Sequence, residues 1–301
     1  MDNISLNCSY YLVIQNLECI QSSLPKDVEY HQHHLIFRNK EPIEIQIVYL
    51  LDKDQQLTMT YTFEKNAEVN IIETKQLQSH STLKKVMKLK EQANIHIFNE
   101  NNSINDESVN CLEEVYLLRD ARCHSGYAEL SDGSVNGEYL YYLDGENAEA
   151  KVRMAILSQE KDKKHYKVLI QHNQPHTSGQ MDNYGVVKDE GHLVIDGIGT
   201  ITKGQHGSAS HQTNKIMVFD EKCVASANPY LYIDDFDVKA SHAAGVGKMD
   251  EEHLYYLQSR GLTKKQAMHL ITYGYLKPVI EVIDNQMLKE HFENVLSKVG
   301  A

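Results

Sequence analysis

The chain has no tryptophan, only five prolines and sixteen glycines in 301 residues. So little Gly and Pro argues against a loop-rich enzyme. Cysteine is scarce too. Cys8, Cys19, Cys111, Cys123 and Cys223 are odd in number and widely spaced, and no two form a CxxC pair. That excludes a zinc ribbon and a local iron–sulfur ligand run, and suits reduced thiols in the cytoplasm. Positive charge is in deficit. Lys+Arg is 30 against Asp+Glu 42, a formal net charge of -12. An acidic chain repels phosphate backbones, so no nucleic-acid partner is expected. The basic runs Lys84-Lys85 to Lys90 and Lys161 to Lys164 read as solvated strand or loop faces. The first 23 residues hold neither a basic n-region nor an apolar stretch long enough to span a bilayer, so no membrane is expected. There is no GxxxxGK[ST] phosphate loop, so the chain itself should bind no nucleotide.

What is present is enough to fold. Hydrophobic residues make up 41% and charged residues 24%, outside the range of disordered chains. The first two-thirds reads as strands. EIQIVYLL (44–51), QLTMTYTFE (56–64) and AEVNIIETKQL (67–77) alternate with period two and are rich in β-branched and aromatic residues. NIHIFNEN, GEYLYYLDGE, HYKVLIQHN and HLVIDGIGTI continue the pattern, with breaks every 10–15 residues. No helical period is visible between about 40 and 235. Many short strands without helices mean a sandwich, a barrel or a β-solenoid. Hairpin pairs are few: Asp132-Gly133, Asn136-Gly137, Asp144-Gly145 and Asp196-Gly197. The last lies inside an apolar run, as a corner within a coil would, which favours the solenoid.

The pattern changes near residue 249. Asp250 can cap a helix with acids in its first turn and Gly261 at its end. Thr263 to Gln266 is a capping box for a second helix, and Pro278 suits the first turn of a third. Met287, Leu288, His291, Phe292, Val295 and Leu296 form an amphipathic stripe. The expected organisation is a short leader over 1–40, a β-solenoid core over 41–248 and a helical domain over 249–301.

The stretch 228–276 carries ordered features: Pro229, Asp234-Asp235, Asp237-Val238-Lys239, Ser241-His242, Gly245-Val246-Gly247, Tyr256-Leu257 and Ser259-Arg260-Gly261. With HNQPHTSG (172–179), DGIGTI (196–201) and HQTNKIMVF (211–219), it resembles the SufB/SufD family of iron–sulfur cluster assembly scaffolds. Ser241-His242 and the lack of a Cys-rich run make it most similar to the SufD branch. The resemblance implies a right-handed parallel β-helix with a C-terminal helical bundle. It also implies pairing with a SufB-like subunit or a second copy through the β-helix, and binding of a SufC-type ATPase by the helical end. The expected function is a non-enzymatic scaffold subunit that holds or helps assemble a transient iron–sulfur cluster or iron. The alternative is an adaptor that dimerises and docks the ATPase without binding iron. A β-helix carbohydrate-processing enzyme would need clustered acids that are not legible.

By this resemblance His242 is the metal-ligand candidate, since neutral imidazole can replace thiolate on iron. The alternative for His242 is a hydrogen-bonded link between body and cap. Ala240 stands where related chains often carry Cys, so a partner would supply most ligands. Cys223, one segment upstream, is the second metal candidate, against a role as a small buried hydrophobe. Tyr255, Tyr273 and Tyr275 are expected on an exposed face that receives the ATPase, because Tyr buries area while keeping a polar tip. Arg260 joins them as a partner-binding residue, or else pins the cap to the body. Among the remaining groups, Cys123 and His124 should point to opposite strand faces and cannot share a metal. His31 and His33 would share a face, in a tract read as solvated loop. His172 and His176 are read as turn-stabilising.

Overall fold

The computed structural model describes residue 6, residues 8–281, and residues 286, 289–290 and 293–294. The stripe from Met287 to Leu296 lies outside the described residues, apart from positions between its members. Nineteen strands among the described residues form two sheets, of ten and nine strands. From Ile43–Leu51 onward, successive strands alternate between the sheets, and each pairs in parallel with the strand two places on. This is a parallel β-solenoid of about seven turns.

The reason lies in the alternation. In each strand every second side chain points between the two sheets, and identical register stacks these residues in rows. One inward row of the first sheet reads Ile45, Ile71, Ile97, Ser125, Val152, Met181, Gln212, His242. Its early members are buried aliphatic residues, each burying on the order of 1.5–3 kcal/mol of apolar surface. Its last members are polar.

Most corners are built around single left-handed non-Gly residues, while the one over 202–208 uses Gly204 and Gly207. Asn66, Gln92, Asp120, Asn147 and His176 all have φ between 58° and 64°. Each donates its backbone N–H to a carbonyl of the next coil, as Asp120 does to Glu146 at 3.0 Å. Of the Gly-containing pairs, Asp144-Gly145 lies in the corner that Asn147 turns, and Asp132-Gly133 opens a strand. Asp196-Gly197 is not a corner: it lies mid-strand in His192–Ile201, and Asn136-Gly137 lies mid-strand in Asp132–Leu143. Gly197 faces inward, where a Cβ would fall 2.5 Å from Asn214 Nδ2. Glycine there makes room for an amide and turns nothing.

Strands begin at Tyr10, inside the segment set apart above as a leader. Tyr10–Gln15 pairs in parallel with Ile43–Leu51 and antiparallel with Glu18–Ser23. Val28–His31 pairs antiparallel with His34–Phe37. Leu12, Ile14, Leu35 and Phe37 are buried and cover the first coil. Gln32 and His33 supply the two positive-φ positions of a tight hairpin without any Gly, which hid this turn in the sequence. His33 therefore does not share a strand face with His31. It is a turn residue whose Nε2 meets the Leu17 carbonyl at 2.8 Å.

The basic runs also differ from the reading as solvated faces. Lys85 is 2% exposed and points inward, where it pairs with Glu73 and, at 2.5 Å, Glu113. Tyr61 and Tyr127 donate to these two carboxylates, and Asn99 accepts from Lys85 at 3.0 Å. Lys164 is buried as well, donating to the Leu157 carbonyl at 2.6 Å. Inward position follows from strand register, and register overrides charge when partners satisfy the group.

Among the described residues, two helices, Glu251–Ser259 and Lys264–Leu276, and a helical turn at Pro278–Glu281 follow the solenoid. The Asp250 cap, the positive φ of Gly261 and the Thr263–Gln266 capping box are all present. Leu276 and Val279 pack with Ile72, Phe98, Ala155 and Val186 on the outer face of the first sheet.

Candidate functional site

The solenoid's first coil is covered; its last is open. Val224–Ile233 ends the nine-stranded sheet and Lys239–Lys248 ends the ten-stranded one. Every residue of Lys239–Lys248 is exposed. Among the described residues nothing pairs with the outer edges of these two strands, so their N–H and C=O groups form a template for another chain. Apolar residues are exposed here too: Tyr230, Tyr232, Val246, and Phe236 at 94%.

His242 lies in this last strand, in the inward row, so its imidazole stands at the mouth of the solenoid. Its neighbour Ser241 faces outward and meets His211 Nδ1 at 2.7 Å. Ala240 and Ala244 flank His242 on the inward side, which keeps the mouth free of bulk. The floor beneath is polar. Ser210, Gln212 and Asn214 are buried directly under Ala240, His242 and Ala244. Gln212 Nε2 donates to the Tyr230 carbonyl at 2.9 Å, tying the sheets together across the interior. Asn183 Nδ2 donates to Asn214 Oδ1 at 2.8 Å. Gln212 Oε1, Asn214 Nδ2 and Asn183 Oδ1 have no partner. Buried unpaired amide atoms carry a desolvation cost of roughly 1–3 kcal/mol each. The sequence analysis missed these three residues. The alternation of polar side chains through Ser210, Gln212 and Asn214 was the available signal, and it reads as an outward face until the register is known.

Cys223 is half-buried in the corner before Val224–Ile233, where its thiol reaches the Asp189 carbonyl at 3.6 Å. Burial pushes that thiol up, which makes the metal-binding thiolate costlier to form there. The Cys223 corner adjoins the Lys248 end of the last strand. His242 is six residues from that end, about 20 Å of strand. The fold does not bring the two metal candidates together, and no three His, Cys, Asp or Glu converge on a point among the described residues. Cys111 and Cys123 face the core, and burial raises their thiols to about 11 and about 12.

The helical end is a second feature. Glu251–Ser259 buries none of its residues. Tyr255 is 76% exposed, and Tyr256 and Leu270 are also open. Arg260 is exposed and stacks 5.1 Å over the Tyr256 ring of its own helix, within the cap and not against the solenoid. A cleft of about 450 Å³ runs between this helix and the last corner, lined by Phe219, Met249, Leu254 and Met268 among others. Tyr273 and Tyr275, expected on the same open face, are half-buried against the solenoid. The Tyr275 ring meets that of Tyr184 edge-on at 5.8 Å. Burial raises its hydroxyl to about 12. The period of the helix decides this: Tyr275 shares the face of Thr272 and Leu276, which are buried.

A family model described as "SUF system FeS cluster assembly, SufBD core domain" matches residues 52–275. Among curated proteins, the chain is 30% identical over 180 residues to the iron–sulfur cluster assembly protein SufD of Bacillus subtilis. That match covers 60% of this chain and 41% of the relative. It is 24% identical over 187 residues to SufD of Escherichia coli, covering 62% and 44%. A SufBD family protein of Mycobacterium tuberculosis is 29% identical over 178 residues, 56% of this chain and 21% of that one. The matched region spans less than half the length of each of these relatives.

Proposed function

Since the chain belongs to the SufBD core family of the SUF iron–sulfur cluster assembly system, we propose that it acts there as a SufD-like scaffold subunit. It presents one imidazole, His242, to iron or a nascent cluster at a seam with a second subunit. The observation that carries this reading is the position of His242: inward row, last strand, at an uncovered mouth whose floor is polar. Two unpaired strand edges beside it suit pairing with a SufB-like subunit or a second copy. A partner's strands would close the mouth over His242 and bring further ligands. One imidazole is a weak hold, which suits a carrier that must release its cargo. The exposed helix Glu251–Ser259, with Tyr255, suits a SufC-type ATPase, since this chain has no phosphate loop of its own. The work is done in the cytoplasm, and no helix among the described residues is long and apolar enough to cross a membrane.

The test is iron and sulfide content after anaerobic reconstitution of the chain with its SUF partners. Wild-type complex holds iron, the chain alone holds little, and His242→Ala lowers iron in the complex at unchanged stoichiometry. Wild-type iron in the His242→Ala complex defeats the ligand role. A second reading, an adaptor that docks partners without touching iron, is favoured by the distance between His242 and Cys223. It predicts an intact complex and unchanged cluster content in that variant.

A further inference from the structure

His96 and His124 occupy adjacent parallel strands, Asn94–Asn101 and Arg122–Glu129, directly in register on the outer face of the ten-stranded sheet. They lie four (His124) and five (His96) strands from Lys239–Lys248 and on the opposite face from His242, about 19 and 24 Å away across the sheet. Their ring centres are 5.0 Å apart and the ring planes cross at 80°.

His124 is held in one orientation. Its Nε2 meets Glu149 Oε1 at 2.9 Å, and Lys151 Nζ meets the same oxygen at 2.8 Å. A carboxylate accepts only, so in the neutral imidazole the proton belongs on Nε2 and the lone pair on Nδ1. That Nδ1 is buried and has no hydrogen-bond partner. A buried acceptor left bare by an arrangement this well fixed asks for an explanation.

Metal coordination supplies one. A metal-bound histidine almost always donates its other N–H to a carboxylate or carbonyl, which fixes tautomer and ring orientation. Glu149 does this for His124. The spacing also agrees. Two imidazoles on one tetrahedral ion, at metal–nitrogen distances of about 2.0–2.1 Å, place their ring centres about 5 Å apart. We propose that His96 and His124 form a half-open site for one divalent transition-metal ion of the zinc, nickel or copper kind, with Glu149 as the carboxylate that orients His124. Imidazole nitrogen suits these ions. The absence of a third converging ligand among the described residues leaves the remaining positions to water or to another molecule. The site is independent of His242 and of the cluster-assembly reading.

The test is titration of the full chain with zinc by calorimetry and with cobalt(II) by visible absorption, which reports tetrahedral nitrogen ligation. The expected result is one ion per chain. His96→Gln or His124→Gln should weaken binding at least tenfold, and Glu149→Gln about 10–100-fold. Replacing His31, His33 and His34 together by Gln should leave binding unchanged. Zinc-dependent shifts of the His96 and His124 imidazole resonances in the unaltered chain test the site without relying on variants that must fold. The proposal is overturned by no binding, by equal binding in the His96→Gln/His124→Gln double variant, by loss in the triple variant, or by unshifted resonances.

Discussion

His242 stands directly over Gln212 in the parallel register, the first side chain open to solvent and the second sealed. The strand that carries His242 therefore rests on an amide, not on a hydrocarbon. Gln212 in turn holds the Tyr230 carbonyl of the opposite edge strand. Replacing Gln212 by Leu removes that tie and leaves an apolar floor. The expected outcome is faster hydrogen exchange across Val224–Ile233, with a change in global stability of about 1 kcal/mol or less. Unchanged exchange at these amides would show that the tie contributes nothing.

Among the described residues, Lys85 is the one cation paired with both Glu73 and Glu113. Lys85→Met leaves two carboxylates facing each other inside the solenoid, at a cost of about 3–5 kcal/mol. Lys85→Met combined with Glu73→Gln and Glu113→Gln should recover most of it, because the uncompensated charge is gone. Urea unfolding of the single and triple variants checks both halves.

Burial pushes the His172 imidazole down to about 4, against about 6.5 in the unfolded chain. Between those values the unfolded state takes up a proton that the folded state refuses. Stability should thus fall as pH drops from about 6.5 to 4, by about 3 kcal/mol in all. His172→Gln should flatten this limb. Glu149 acts lower. Its hydrogen bond from His124 holds its carboxyl at about 2, so its contribution is present above about pH 4.3 and lost on the way down to 2. Unfolding free energy measured from pH 7 to 3 separates the two.

Tyr255 and Tyr275 should separate docking from folding. Tyr255→Ser touches an open ring and should shift stability by no more than about 0.5 kcal/mol, while weakening capture of a SufC-type ATPase. Tyr275→Ser removes a ring packed on Tyr184 and should cost about 1–3 kcal/mol, seen as a lower melting temperature. Equal melting of the two variants would contradict the packing.

Gly197→Ala should destabilise by about 1–3 kcal/mol, since its Cβ would fall on the Asn214 and Gln212 amides. Gly245→Ala, with nothing within 4 Å, should be nearly neutral in the isolated chain.

The sequence by itself determined the strands from Ile43 onward, the switch to helix at Asp250 and the caps of both helices, because period-two alternation and capping chemistry are local. The run 228–276 with Ser241-His242 was legible in the same way, as an ordered set of residues along one segment. What only the tertiary structure decided was which side of each strand became the inside. Register placed Lys85 and Lys164 in the core, turned Tyr275 inward, put Gln212 under His242 and kept Cys223 away from it. It also set His96 beside His124, 28 residues apart along the chain. In a solenoid such neighbours are one coil apart, and coil length is fixed by corners. Here most of those corners are single Asn, Asp, Gln or His residues in the left-handed region, which leave no Gly signature for sequence reading to count.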